Sequence, residues 1–364
     1  MNNKRIAFFI PTLEYGGAER VILTLVNGIV ERGYDVELVL ANAIGPCLTE
    51  VDPQVKIINL SSSRSLFSIF GLIRYLKTSK PDVMVSALDN ANLISVLAKF
   101  ISGVKTRVFL SQHSTLSSEK QFDKSLKGKI VRILMRRLYP IADIIIGVSD
   151  GVSRDLKEQL GLKLNLVTIY NPVVGDRINL LQNEPVLCKW FDEGEPPVIL
   201  SAGRLTEAKD FELLIKSFAL IRKSRICRLV IVGDGPLNSK LTQLACELGV
   251  QEDLLLTGFQ TNPFNWMKHA SVFVVSSKFE GLSNVLIEAM ACGLKVVSTD
   301  CPNGPFEILE GGKWGRLVPV GDEVGLALAI ESALDTNSDF DIRERANFFS
   351  VDRSINRYLE LIHS

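Results

Sequence analysis

The chain has no excess of either charge, with 41 lysines and arginines against 41 aspartates and glutamates. Wholesale nucleic-acid binding is thereby disfavoured, although a local basic patch can still face an anionic surface. Its six cysteines, Cys47, Cys188, Cys227, Cys246, Cys292 and Cys301, form no CxxC pair, and several lie in apolar runs such as Met290-Ala291-Cys292. Buried free thiols are expected, ahead of a metal site or disulfides. No apolar stretch approaches the roughly 20 residues that span a bilayer. The amino-terminal run in MNNKRIAFFIPTLEYGG passes straight into a Gly-Gly turn, which fits a first strand and not a secretory signal. Short repeats and low-complexity tracts are missing as well. A cytoplasmic protein is expected.

What is present is globular material. Hydrophobic residues make up 46% and charged ones 23% of 364 residues, too many for one core and about right for two domains. Short apolar runs alternate with longer helical patterns. RIAFFI, DVELVL, VKIINL, DVMVSA, RVFLSQ and DIIIGV come first; PVILSAG, RLVIVG, DLLLTGF, VFVVSS and LKVVST follow. Runs apolar throughout, with helices between, imply parallel sheets covered on both faces. The expected fold class is α/β, as two doubly wound Rossmann-like domains facing a cleft. The expected boundaries are 1–170 for the first domain, 171–196 for a proline-rich linker and 197–340 for the second domain. A terminal helical stretch, 341–364, would cross back to the first domain.

Ligands of such sheets bind beyond the carboxyl ends of the strands. After the first strand comes PTLEYGGAER. Gly16 and Gly17 either just tighten the turn or let backbone amides at a helix start approach an anion, and this stretch alone leaves both open. It is not a dinucleotide fingerprint, because GxGxxG spacing is missing and the second strand ends in Ala41-Asn42. In SAGRLTEAKDFELL, Arg204 and Lys209 share a loop past a strand end; they are solvated or they clamp a diphosphate. IVGDGP again puts glycines after a strand.

KFEGLSNVLIEAMACG is the most informative segment. Glu288 lies in a helix apolar on every side and therefore expected to be buried, with Glu280 before the helix start. Either a buried ion pair or a ligand would satisfy them; hydroxyl pairs of a hexose and a ribose fit, and the two could look into one cavity. The amides of Gly281, Leu282, Ser283 and Asn284 can point at phosphate or sugar oxygens. Of the three histidines, His113 alone stands at a strand's carboxyl end. Asp339-Phe340-Asp341 spells DxD, a metal-diphosphate pattern elsewhere, but here an N-cap is the better reading and no metal is expected.

GGAER, GRLTEAKD, GDGP, GF after a strand, EGLSNVLIE, STDCPNGPFEIL and GRLVPVGD, in this order, resemble the retaining glycosyltransferases of family 4, which have the GT-B fold. The likeness is to members that build bacterial surface polysaccharides and lipid-linked glycans. It implies that Arg204 and Lys209 hold the nucleotide diphosphate, Glu280 contacts the donor sugar and Glu288 holds the ribose. Phe259 and Gln260 would border the base, Gly16 and Gly17 would lie against the diphosphate, and His113 would sit beside the reacting carbon. It further implies a uridine-linked hexose or N-acetylhexosamine donor, galactose and N-acetylhexosamine ranking ahead of mannose from a guanosine donor. An α-linked product, no cofactor and no metal complete the expectation.

The first domain, which the resemblance makes the acceptor-binding one, carries KSLKGKIVRILMRRLYP. Lys124, Lys127, Lys129, Arg132, Arg136 and Arg137 are interleaved with Leu126, Ile130, Ile133, Leu134 and Leu138 at helical spacing. The apolar set is expected to pack on the domain, leaving the basic face for solvent or for anionic headgroups at the cytoplasmic face of the inner membrane. Two other readings stay open, a soluble sugar acceptor and a non-catalytic sugar-nucleotide-binding protein; an epimerase on the same fold is disfavoured by the paired-glutamate spacing.

Overall fold

The apolar runs form two all-parallel sheets in a computed structural model that describes residues 4–62, 65–117, 125–161, 164–336 and 340–364. The first sheet contains β1 (Arg5–Ile10), β2 (Asp35–Leu40), β3 (Lys56–Asn59), β4 (Val83–Ala87), β5 (Arg107–Gln112), β6 (Ile144–Gly147) and β7 (Leu166–Thr168). Their order is β3-β2-β1-β4-β5-β6-β7. The second contains β8 (Val198–Ala202), β9 (Arg228–Val232), β10 (Leu254–Leu256), β11 (Val272–Val275), β12 (Val296–Thr299) and β13 (Arg316–Val318), ordered β10-β9-β8-β11-β12-β13. These are doubly wound, Rossmann-like sheets. β7 and β13, three residues each, escape the sequence pattern because they are half-exposed edges with no apolar run to announce them.

Each sheet belongs to its own compact unit. In the first, β1 is an interior strand between β2 and β4, with Ile6, Phe8 and Ile10 packed on the helix Gly17–Val30 through Ile22, Leu25 and Val26. Glu37 is the polar exception on β2. Burial pushes its carboxyl up, but hydrogen bonds from Lys56 (2.8 Å), Ser79 (2.6 Å) and Tyr75 outweigh this and hold it below the usual range. In the second unit, Phe211, Leu214, Phe218 and Ile221 of the helix Phe211–Arg222 cover β8 and β9.

The chain's last helix, Val351–His363, belongs to the first unit. Its buried face, Ile355, Tyr358 and Ile362, joins the core beside the helix Gly17–Val30. Gly28 makes this possible: a Cβ there would stand 2.3 Å from Ile355 Cδ1. The expected boundaries need two corrections. Residues 173–196 are no free linker. They carry the helix Asp176–Leu181, and Asn262 and Asn265 donate to Leu181 O (2.9 Å) and Pro185 O (3.2 Å) of the second unit. Residues 341–350 stay with the second unit too, because Arg345 donates to Glu307 O (2.7 Å) and Ile308 O (2.8 Å).

Four cysteines, Cys47, Cys227, Cys292 and Cys301, are buried free thiols, whereas Cys188 is half-buried and Cys246 exposed. Burial pushes Cys292 and Cys301 up to about 12, which leaves them protonated and unreactive.

Candidate active site

In each sheet the strand order reverses at one place, between β1 and β4 and between β8 and β11. Loops leaving the carboxyl ends of strands that flank such a reversal diverge and open a crevice. Gly16 and Gly17 follow β1, Arg204 and Lys209 follow β8, and Glu280 follows β11. The sequence motifs thus fall at the two switch points.

In the second unit these loops are stitched together. Lys209 Nζ donates to Glu280 Oε1 at 2.6 Å, and Ser277 Oγ donates to the same oxygen at 2.7 Å. Ser276 Oγ donates to Lys209 O (2.8 Å), and the Lys278 amide to Ala208 O (2.8 Å). Glu280 is thereby a well-buried carboxylate with a cation and a hydroxyl on one oxygen; its side chain is 10% exposed. Arg204 lies on the exposed side of the same loop, and among the described residues its guanidinium has no ion pair. Gly233 of GDGP presses the next loop inward: its φ is +142°, and a Cβ would stand 2.0 Å from Gly203 O. The Gly233 amide in turn donates to Gly258 O (2.9 Å), which ties in the loop bearing half-exposed Phe259. Gln260 Nε2 beside it donates to Thr257 O at 3.2 Å.

The helix of the most informative segment is Asn284–Ala291. Glu288 is half-buried on it, not enclosed as expected. Leu286, Ile287, Ala289, Met290 and Ala291 bury one side, while Asn284, Val285 and Glu288, at positions i, i+1 and i+4, form a stripe that reaches solvent. Ser283 is the residue that sequence reasoning undervalued. It occupies the N-cap position but makes no cap bond, and its buried hydroxyl has no hydrogen-bond partner among the described residues. A buried, unsatisfied hydroxyl at a helix start marks a place that a ligand can complete. Gly304 of PNGP borders it: at φ +98°, a Cβ there would lie 3.4 Å from the Ser283 amide and 3.6 Å from Glu280 Cβ.

In the first unit Gly16 is the N-cap of the helix Gly17–Val30. Glu19 folds back over it, so that a Cβ on Gly16 would stand 2.1 Å from Glu19 Oε2. Burial pushes the Glu19 carboxyl up, and the charge of Glu14 adds to this against the pull of its own backbone amide. The motif's glutamate already stands where an anion was expected. His113 is half-buried past the end of β5, its Nε2 3.0 Å from Ser111 Oγ, and burial pushes its imidazole down to about 4. The ring is neutral at physiological pH.

The basic helix spans Leu126–Leu138, capped by Ser125 Oγ, which accepts from the Gly128 amide at 3.0 Å. Lys124 lies outside the described residues. The packing face is the reverse of the expected one. Gly128 and Met135 are buried with half-buried Val131 and Leu138 between and beyond them, whereas Leu126, Ile130, Ile133 and Leu134 point outward at 75%, 49%, 60% and 40% exposure. Gly128, Val131, Met135 and Leu138, at positions i, i+3, i+7 and i+10, form the stripe that faces the unit. Lys129, Arg136 and Arg137 are exposed beside the apolar stripe. Lys129, Arg132, Ile133 and Arg136 also line a cavity of about 560 Å³ with Leu116. No helix among the described residues is long and apolar enough to cross a membrane. Of the DxD triplet, Asp339 lies outside the described residues. Asp341 is held by Arg343, through the backbone amide (3.0 Å) and the guanidinium (2.8 Å).

Family models describe the same two units. Residues 15–177 match "Glycosyltransferase Family 4" and residues 196–336 match "Glycosyl transferases group 1". The N-acetylgalactosamine-N,N'-diacetylbacillosaminyl-diphospho-undecaprenol 4-alpha-N-acetylgalactosaminyltransferase of Campylobacter jejuni is 31% identical over 344 residues, covering 91% of this chain and 90% of that protein. The GalNAc-alpha-(1->4)-GalNAc-alpha-(1->3)-diNAcBac-PP-undecaprenol alpha-1,4-N-acetyl-D-galactosaminyltransferase of the same organism is 30% identical, covering 98% of each. Among solved structures, Anabaena HepE in complex with UDP and glucose superposes with a TM-score of 0.82 at 20% identity, covering 99% of both chains. The chain is a glycosyltransferase of family 4, with the GT-B fold.

Proposed function

We propose that the protein moves a hexose or N-acetylhexosamine from a UDP-sugar to a lipid-linked glycan in bacterial polysaccharide or glycan assembly, forming an α-linkage without a metal. The observation that carries this reading is the built but incomplete polar site of the second unit around one switch point: the Lys209–Glu280 pair with, among the described residues, a Ser283 hydroxyl lacking a hydrogen bond and an exposed Arg204 lacking an ion pair. A sugar diphosphate supplies what each lacks. Its phosphates meet Arg204, Lys209 and the amides of Gly281 to Asn284; its sugar hydroxyls meet Glu280; its ribose meets Glu288 and its base Phe259 and Gln260. Gly16 and Gly17 offer amides to the same class of anion, with Glu19 as the carboxylate to be displaced. The relatives' names support an N-acetylhexosamine and a lipid diphosphate acceptor.

Chemically, the bond between the anomeric carbon and the phosphate oxygen breaks while the acceptor oxygen bonds to that carbon from the same face. The acceptor proton goes to the departing phosphate. Arg204 and Lys209 carry the developing charge, so positioning and electrostatics do the catalysis and no protein nucleophile is required. The resemblance to family 4 supports a contact of His113 with the donor sugar.

The helix Leu126–Leu138 presents its apolar stripe and flanking cations to an anionic bilayer, peripheral on the cytoplasmic face of the inner membrane. Exposure of Leu126, Ile130, Ile133 and Leu134 supports this over a merely solvated basic face. A thermal-shift panel of sugar nucleotides, followed by transfer onto a polyprenyl-diphosphate glycan with the product anomer read by NMR, tests the reading. UDP-N-acetylhexosamine or UDP-galactose should raise the melting temperature more than GDP-mannose, and the product should be the α-anomer. Stabilisation by guanosine nucleotides alone, or a β-linked product, would overturn it.

A further inference from the structure

We propose that Tyr358 and Ser111 are positioning residues that lock His113 in the tautomer protonated on Nδ1, so that the ring offers a hydrogen-bond donor to the substrate. The functional half of this rests on the placement of His113 beside the reacting sugar; the structural half stands on the first unit alone.

Ser111 Oγ stands between two polar groups, 3.5 Å from Tyr358 Oη and 3.0 Å from His113 Nε2. Ser111 points from β5 on the same side as His113, two residues later, as strand alternation requires. Tyr358 comes from the helix Val351–His363 and is 2% exposed, while Ser111 is fully buried. Burial pushes the phenol up to about 12, so it keeps its hydrogen. Among the described residues that hydrogen has one acceptor, Ser111 Oγ. A hydroxyl carries one hydrogen. Once Ser111 accepts from Tyr358, its own hydrogen is left for His113 Nε2. Nε2 is then an acceptor, and a neutral imidazole with an accepting Nε2 carries its proton on Nδ1. The opposite polarity, from Nε2–H through Ser111 to Tyr358, strands the phenol hydrogen in the core without an acceptor, which is the costlier arrangement. Burial of the imidazole, with its low affinity for a proton, keeps the doubly protonated form out of the balance.

The consequence is directional. His113 meets its ligand as a donor, so the atom it faces is an acceptor such as a sugar hydroxyl oxygen. The last helix, whose sequence shows just an amphipathic period, thereby sets the chemistry of a residue almost 250 positions away. The surroundings hold this geometry firmly. Asn92 Nδ2 donates to Ser111 O (3.0 Å), and Tyr139 Oη donates to Gln112 Oε1 (2.8 Å).

The test uses the full-length protein labelled with ¹⁵N-histidine. Its three histidines give a simple spectrum that His113→Gln assigns. At neutral pH the wild-type His113 should show a protonated Nδ1 and an accepting Nε2. Tyr358→Phe, which keeps the packing, should let Ser111 turn and populate the Nε2–H form, and kcat should fall roughly five- to tenfold with donor KM unchanged. Ser111→Ala should do the same and Ser111→Thr should restore the wild-type tautomer. A wild-type ring protonated on Nε2, or a Tyr358→Phe protein with an unaltered tautomer, overturns the lock. A shifted tautomer with an unaltered kcat instead overturns the assignment of His113 to the reaction, and the two failures are told apart by the spectrum alone.

Discussion

Removing Lys209 separates the structural work of the loops around Glu280 from the chemical work proposed for them. In Lys209→Ala the Glu280 carboxylate loses its cation and keeps one hydrogen bond, from Ser277. Breaking a fully buried ion pair by deleting one partner costs about 3–5 kcal/mol. Here the Glu280 side chain is 10% exposed and that of Lys209 25%, so water reaches part of the pair. About 2 kcal/mol is the reasonable cost after this discount. For a unit of this size that lowers the melting temperature by roughly 4–8 °C. Glu280→Gln in the same background should recover most of the loss, because no charge is left stranded, whereas transfer activity should stay abolished. Calorimetry of the wild type, both single variants and the double variant gives the coupling directly. Additive effects, or a Lys209→Ala protein as stable as the wild type, would show that the pair does not hold the loops and would refute the reasoning.

Acid should destabilise the protein through His113. Its folded value near 4 lies below the usual 6.5, so between these values the unfolded chain takes up a proton that the folded chain refuses. The contribution is complete above about 6.5 and drains as the pH falls toward 4; His113→Gln should flatten the dependence of melting temperature on pH across that window, and an unchanged slope would contradict the assignment. Gly233→Ala should fold poorly, losing more than about 3 kcal/mol, since a Cβ would collide with Gly203 O at a φ that L-residues avoid; denaturation midpoints equal to the wild type would refute this. Ile130→Ser combined with Ile133→Ser should abolish flotation with anionic vesicles at low salt, and Lys129→Ala should weaken it by about 1 kcal/mol; vesicle binding indifferent to all three would remove the helix from the membrane.

Much of this was legible because parallel sheets buried on both faces write themselves as uninterrupted apolar runs, and because glycines gather in the tight turns that follow such strands. The existence of β1 to β6 and β8 to β12 and the places of Arg204, Lys209 and Glu280 past strand ends follow from those two facts. Edge strands β7 and β13 did not, for they bury little. Helix faces were less legible than helix existence. The segment Leu126–Leu138 turns Gly128, Val131, Met135 and Leu138 inward and Leu126, Ile130, Ile133 and Leu134 outward, and no periodicity count can tell which of two apolar stripes meets the core. Glu288 was over-read for a related reason: on a helix of eight residues a half-covered stripe looks apolar in composition. The pairing of Lys209 with Glu280, the idle hydroxyl of Ser283 and the reach of Tyr358 to Ser111 join residues far apart in the chain, where a single sequence holds no signal.

Arg204→Ala is the most direct probe of the claim that the second unit neutralises a departing diphosphate. The guanidinium is exposed and, among the described residues, without an ion pair, so its loss should change unfolding by no more than about 0.5 kcal/mol. Transfer from the UDP-sugar should nonetheless slow by roughly a hundredfold or more. A stable Arg204→Ala protein that transfers sugar at the wild-type rate would contradict the account.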